Sequence, residues 1–322
     1  MNRVLLLLCL YFLVPLPRVT GQTRRPSAGQ VSRTAGNPTV LAAKLKSPEQ
    51  CLVDATHVYW LQAGTKIMRV DKNGGGSPVI IALENQISGY GLDATTVYYL
   101  TEKELKKVSK RGGPVVELAS NLRNQSLIVV DETSVYWLAQ KDGESGVLMK
   151  LAKDGGQPIM LASQIYYAKA LLVDDQSVYW ADYADDTLKR VDKSGGQPAV
   201  LARKSEFNLG EKYISAPEHA VADQNSIFWA CVIGCIVRID KKSGLASGVL
   251  PEQPFSATRL SVDDENLYWA STFNHRLMKV NKRGGRPVIL AARQASPNSI
   301  AVDEKSVYWT DDKNGLVLKI AK

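Results

Sequence analysis

One twelve-residue unit, Ser299-Ile-Ala-Val-Asp-Glu-Lys-Ser-Val-Tyr-Trp-Thr310, recurs along the chain in edited form. Its core places an Asp at positions 54, 93, 131, 174, 223, 263 and 303, each followed four residues later by Val, Ile or Leu. Tyr or Phe comes next, then Trp or, once, Tyr99. Subtracting neighbouring Asp positions gives steps of 39, 38, 43, 49, 40 and 40. A period near forty built from strand-like segments cannot bury its apolar faces one unit at a time, so it requires a stacked or radially repeated β structure.

Each repeat divides into four short runs rich in Val, Ile, Tyr and Trp, the residues that suit a pleated, half-buried surface. The first ends in Val-Asp, as in Leu127 to Asp131, and the second carries the Tyr-Trp pair. The third resembles Leu188-Lys-Arg-Val-Asp192, and the fourth follows a Gly-Gly turn, as in Pro198 to Ala202. The repeated Asp ends its strand where a carboxylate can accept a hydrogen bond from backbone two residues on. Between the third and fourth runs, Lys72, Lys110, Lys153, Lys193, Lys242 and Lys282 stand two residues before Gly74, Gly112, Gly155, Gly195, Gly244 and Gly284. Glycine there permits the positive φ of a tight hairpin. Pro78, Pro114, Pro158, Pro198 and Pro287 follow, and since proline cannot donate to a ladder, the fourth strand is expected at the outer edge of its sheet.

The last repeat stops after its third strand, and a matching fourth strand occurs near the other end of the chain. Gly36-Asn-Pro-Thr-Val-Leu-Ala42 parallels Gly196-Gln-Pro-Ala-Val-Leu-Ala202. The expected fold is therefore an all-β, seven-bladed β-propeller of four-stranded antiparallel blades over residues 36–322, closed by an N-terminal strand that completes the last blade. Tyr and Trp, adjacent on one strand, point to opposite faces of each blade, so only a ring covers both.

Met-Asn-Arg3, the apolar run Val4 to Leu16 and Val19-Thr20-Gly21 have the form of a secretory signal peptide over residues 1–21. The apolar run is short for a membrane span. Residues 22–35 are polar and aperiodic, as in a flexible leader. Loss of Arg3 and Arg18, with no acid lost, takes the formal charge from +8 to +6. Such a surplus does not call for a nucleic-acid partner, and basic and aromatic residues are not interleaved as single strands require. The expected product is a secreted monomer, extracellular or periplasmic. Cys231 and Cys235 flank a tight turn and are expected to form a disulfide in an oxidising compartment, leaving Cys51 as a buried apolar filler.

Val307-Tyr308-Trp309-Thr310-Asp311 resembles the YWTD propellers of the low-density-lipoprotein-receptor class. Closer still in pattern are bacterial secreted proteins with YWTD-like repeats and Gly-Gly-x-Pro turns. The receptor propellers have six blades, against seven copies counted here, and the motif Asp survives only at Asp182 and Asp311. The resemblance implies a propeller that binds protein and performs no catalysis.

Candidate functional residues lie where repeats depart from the pattern. The link Arg203 to His219 causes the longest step and carries Phe207, Asn208, Glu211, Tyr213 and His219. The loop over Asp182, Tyr183, Asp185 and Asp186 adjoins it, and Phe273, His275, Arg276 and Asp311 follow on later blades. Asp182, Asp185 and Asp186 are oxygen donors suited to calcium, but a solvated turn has the same composition, so no cofactor or metal is expected. His219 and His275 have the chemistry for acid–base work near neutral pH, and equally for plain polar contact. No hydrolase elbow, zinc-protease helix or phosphate loop occurs. The reading is a non-catalytic propeller binding a protein or glycan through one loop face. The alternative is a propeller hydrolase or lyase with a tunnel-mouth metal or histidine acid–base site.

Overall fold

The computed structural model describes residues 36–123, 125–139, 145–207, 217–231, 234–250 and 259–322. They form seven four-stranded antiparallel sheets, each a blade of a seven-bladed propeller. The first blade is typical: Pro48–Val53 is innermost, His57–Gln62 and Lys66–Asp71 follow, and Val79–Leu83 forms the outer edge. Among the described residues the helical content is one 3-10 turn, Lys204–Glu206. The signal and leader segments expected over residues 1–35 lie outside the described residues.

The ring closes as the repeats require. Thr39–Ala42 pairs antiparallel with Leu316–Ala321, matching Thr39 with Lys319, Val40 with Leu318 and Ala42 with Val317. The last sheet thus joins one strand from the start of the chain to three from its end. All other fourth strands, including those after Pro78, Pro198 and Pro287, also lie at the outer edge. The glycines of the third turn have φ between 73° and 102°. At Gly244 a Cβ would also meet the Leu201 carbonyl oxygen at 2.2 Å, so side chains are excluded there twice over.

The Tyr-Trp pair packs the ring together. Tyr59 of the first blade shares a buried cluster with Tyr99 of the second, and Tyr98 does so with Trp137 of the third. Tyr136 meets Trp180, Tyr179 meets Trp229, Phe228 meets Trp269, Tyr268 meets Trp309 and Tyr308 meets Trp60. Every interface therefore takes the tyrosine side of one blade and the tryptophan side of the next. Each such side chain is 4 % exposed or less, burial worth roughly 1.5–3 kcal/mol apiece.

Candidate functional site

The blade architecture gives the ring two unlike faces. One carries the turns from first to second and from third to fourth strand, and is called here the turn face. The other, the link face, carries the second-to-third loops and the blade-to-blade links.

On the turn face the repeated Asp is fully engaged. Asp54 Oδ1 accepts the backbone N–H groups of Thr56 and His57, both at 2.8 Å. Its Oδ2 accepts the Tyr59 hydroxyl at 2.9 Å and Lys110 Nζ of the next blade at 2.7 Å. The same exchange recurs at every interface. Lys153 reaches Asp93, Lys193 reaches Asp131 and Lys241 reaches Asp174. Lys282 reaches Asp223, Lys322 reaches Asp263 and Lys72 reaches Asp303 to finish the circle. Burial alone would raise these carboxyls, but the hydrogen bonds outweigh it. They hold Asp93, Asp131, Asp174, Asp263 and Asp303 at about 2, and Asp54 well below the ordinary range.

Two features of this rim go beyond the Lys-x-Gly spacing of the turns. In the fifth blade the bridging lysine is Lys241, not Lys242. That turn runs Asp240-Lys-Lys-Ser-Gly244, one residue longer than the others, so counting back from glycine selects the wrong neighbour. The rim is also more than a set of surface pairs, because each bridge crosses a blade boundary and is shared with a tyrosine hydroxyl in six of seven blades.

On the link face the innermost strands of all seven blades surround an axial cavity of about 470 Å³. Its polar lining comes from Gln50, Ser88, Lys169, His219, Arg259 and Ser299. His219 and Arg259 occupy equivalent register positions on neighbouring blades, opposite Ala230 and Ala270. Lys169 projects from the blade before, at a bulge between Ala168 and Ala170. His219 Nδ1 accepts the backbone N–H of Leu260 at 3.2 Å. Ser299 plays the same part for Cys51, whose N–H donates to its hydroxyl at 2.8 Å. Since Nδ1 accepts, the ring proton sits on Nε2. Burial, then the Arg259 charge, holds this imidazole down to about 3. His219 is therefore a neutral hydrogen-bond donor whose basic nitrogen is already used.

Lys169 and Arg259 contrast with the turn-face lysines. Among the described residues neither has a carboxylate at ion-pair distance, and Lys169 instead lies 5.8 Å over the Tyr183 ring. Glu49 is the carboxyl that feels Arg259 most clearly. Burial and then Asp312 raise it, and Arg259 opposes them. Tyr166, Tyr167 and Tyr183 are 48 %, 68 % and 43 % exposed beside Lys169. Tyr167 holds a left-handed φ of 55°, unfavourable for a side chain of its size. Two bonds fix this turn: Tyr166 N–H donates to Asp182 at 3.3 Å, and Tyr183 N–H donates to the Tyr167 carbonyl at 3.3 Å.

The expected face residues separate into several groups. Asp182 and Asp311 are buried and build loops instead of facing solvent. Asp182 accepts Tyr166 N–H and Lys189, while Asp311 accepts the N–H groups of Ala295, Ser296 and Asn314. Asp185 and Asp186 are bridged by Lys189 and Lys204. Among the described residues, no three acidic, His or Cys side chains gather at metal-binding distance. Phe207 packs edge-on against Trp229, with ring centres 5.7 Å apart. Phe273 is 83 % exposed. His275 donates Nδ1–H to the Ala295 carbonyl at 3.0 Å, since a carbonyl can only accept. Neither it, Phe273 nor Arg276 lines the axial cavity. Asn208, Glu211 and Tyr213 lie outside the described residues. Cys231 and Cys235 are joined by a disulfide, and burial pushes the buried Cys51 thiol up to about 12.

The sequence reading missed Lys169, Arg259, Tyr166 and Tyr167. No sequence signal singles out the first two, because equivalent first-strand positions in other repeats are also polar, as at His219, Asn298 and Ser299.

No protein-family profile matches the chain, and no curated protein matches it in sequence. Solved structures match the fold. A virginiamycin B lyase from Staphylococcus aureus superposes with a TM-score of 0.70 at 13 % identity, covering 88 % of this chain and 98 % of its own. A protein in a nidogen/laminin complex superposes with a TM-score of 0.56 at 17 % identity, covering 77 % and 98 %. BamB from Moraxella catarrhalis does so with a TM-score of 0.55 at 14 % identity, covering 88 % and 100 %. The chain is a seven-bladed β-propeller, and its likeness to those structures is one of fold and not of close sequence.

Proposed function

We propose that this chain is an exported, non-catalytic propeller that captures a protein or glycan ligand on its link face, at the mouth of the axial cavity. The observation that carries this reading is a pair of cations, Lys169 and Arg259, with no carboxylate at ion-pair distance among the described residues, on a blade set that also exposes Tyr166, Tyr167 and Tyr183. The other face, by contrast, pairs one lysine with a carboxylate at each of seven interfaces. Unspent charge and exposed rings in a concave site are what a binding surface needs. The protein complex named for one fold neighbour, with nidogen and laminin, is consistent with a binding role. Export rests on residues 1–21, and N-terminal sequencing of the mature protein is expected to start at Gln22.

A lyase is the second reading, favoured by the placement of His219 in the channel wall and by the virginiamycin B lyase fold match. Against it, the nitrogen that would take a proton already accepts Leu260 N–H. The test is a screen against immobilised glycans and extracellular proteins, repeated with a Lys169→Ala/Tyr183→Ala/Arg259→Ala variant and with Lys193→Ala on the turn face. A ligand lost by the first variant and kept by the second supports the reading. Ligands retained equally by both contradict it, as does turnover of a bound compound.

A further inference from the structure

Three consecutive blades each place a hydrogen-bond donor in the wall of the axial cavity. Lys169 comes from the fourth, His219 from the fifth and Arg259 from the sixth, all on innermost strands lining one cavity. Each offers only donors. Lys169 and Arg259 have no carboxylate partner at ion-pair distance among the described residues, and Nε2 of His219 has no acceptor there either. Three donors with no carboxylate at ion-pair distance among the described residues define a place for an anion. Outside the cavity lining, on the fourth blade, Tyr183 lies against Lys169, and the exposed Tyr166 and Tyr167 precede Lys169 by three and two residues. The turn holding Tyr167 outward keeps a left-handed backbone at a tyrosine, a cost that its bonds to neighbouring loops sustain.

Resting on the binding reading above, we infer that this mouth recognises an acidic oligosaccharide, its carboxylate or sulfate held by Lys169, His219 Nε2–H and Arg259 and its sugar rings laid along Tyr183, Tyr166 and Tyr167. The chemistry of the rings favours a sugar over a peptide. A peptide partner docks by adding a strand to a sheet edge or by filling an apolar groove. The outer sheet edges lie at the circumference, on the fourth strands, and the inner edges, on the first strands, face one another across the axial cavity. The exposed rings on the blade that carries Lys169 are tyrosines, which combine a flat apolar face with a hydroxyl, as a sugar does. A cavity of about 470 Å³ is within the usual range for a small ligand and is open to a longer chain above.

The test is calorimetric titration of the intact mature protein with four probes at two salt concentrations. The probes are a galacturonate tetrasaccharide, a heparin tetrasaccharide, an uncharged galactose tetrasaccharide and a ten-residue poly-glutamate peptide. Binding of the first or the second is expected, with the stronger of them showing whether carboxylate or sulfate is preferred. Lys169→Met and Arg259→Met are each expected to weaken it about tenfold or more, and Tyr183→Ala to weaken it about tenfold. Glu49→Gln, which removes the negative charge that competes for Arg259, is expected to strengthen it about threefold. Unchanged thermal midpoints in these variants separate loss of binding from loss of fold. The inference is overturned by equal binding of the uncharged tetrasaccharide, by preferential binding of the peptide, by affinity indifferent to the four substitutions, or by no binding of any probe. Preferential peptide binding that is lost in Lys169→Met would leave the link face standing as a binding face while removing the sugar.

Discussion

On the turn face each rim lysine reaches a carboxylate of the preceding blade at 2.5–2.8 Å, whereas on the link face Lys169 and Arg259 reach none among the described residues. The residue types are the same and the consequences are opposite. Where the charge is shared with a tyrosine hydroxyl and two backbone N–H groups, it fastens one blade to the next and has no capacity left for a ligand. Where it stands beside exposed rings at a cavity mouth, it contributes little to closure and remains open to a partner. The lesson is that a repeat keeps its chemistry where blades must join and departs from it where the ring meets something else.

The sharpest way to break this division is to open the ring itself. Deleting residues 36–42 removes the strand that buries Leu41 and Ala42 against the last blade. The loss of burial and ladder bonds is expected to cost about 4 kcal/mol. For a domain of this size the thermal midpoint then falls by about 10 °C. An unchanged midpoint would mean that the ring does not depend on that strand.

Acid acts on all seven interfaces together. The rim carboxyls sit lower in the folded chain than in the unfolded one, five of them at about 2. Their contribution is therefore complete above the unfolded value of about 4 and is lost as pH falls through about 2. Denaturant midpoints are expected to be level from pH 7 to about 5 and to fall steeply below 4. A steep loss between pH 7 and 5 would assign acid sensitivity to other groups.

One interface provides its own control. The fifth blade has Phe228 where the six others have a tyrosine, so among the described residues Asp223 is held by Lys282, Ser226 N–H and Asn225 N–H alone. A cavity of about 1040 Å³ lined by Asp223 and Phe228 leaves room for one more oxygen. Phe228→Tyr is expected to add about 1 kcal/mol. Asp131→Asn, which weakens a complete junction, is expected to cost about 2 kcal/mol. Equilibrium unfolding measures both, and a stabilisation by Asp131→Asn would contradict the role given to the rim.

The architecture was legible because it is periodic. Seven Asp–Tyr–Trp cores, the Gly-Gly turns and the displaced fourth strand at Gly36 to Ala42 each specify a local geometry, and all of them require the same ring. The capping role of the repeated Asp was legible for the same reason, since its bond to backbone two residues on is local. The identity of the partner at Lys241 was not, because it depends on turn length and on which blade lies beside which. The candidate site was read only in part. Departures from the repeat led to Tyr183 and His219, but they also led to Asp182 and Asp311, whose carboxylates are consumed by backbone N–H groups of neighbouring links. Lys169 and Arg259 escaped notice because a cation becomes informative only when the absence of its partner is visible, and that requires the fold.

The division between the faces is tested most directly by measuring thermal midpoint and galacturonate or heparin tetrasaccharide affinity, side by side, for Lys169→Met/Arg259→Met and for Lys193→Met. The account predicts that the mouth variant keeps its midpoint and loses the ligand, while the turn-face variant loses several degrees and keeps it. A mouth variant that melts early and still binds, or a turn-face variant that melts as the parent and no longer binds, would contradict it.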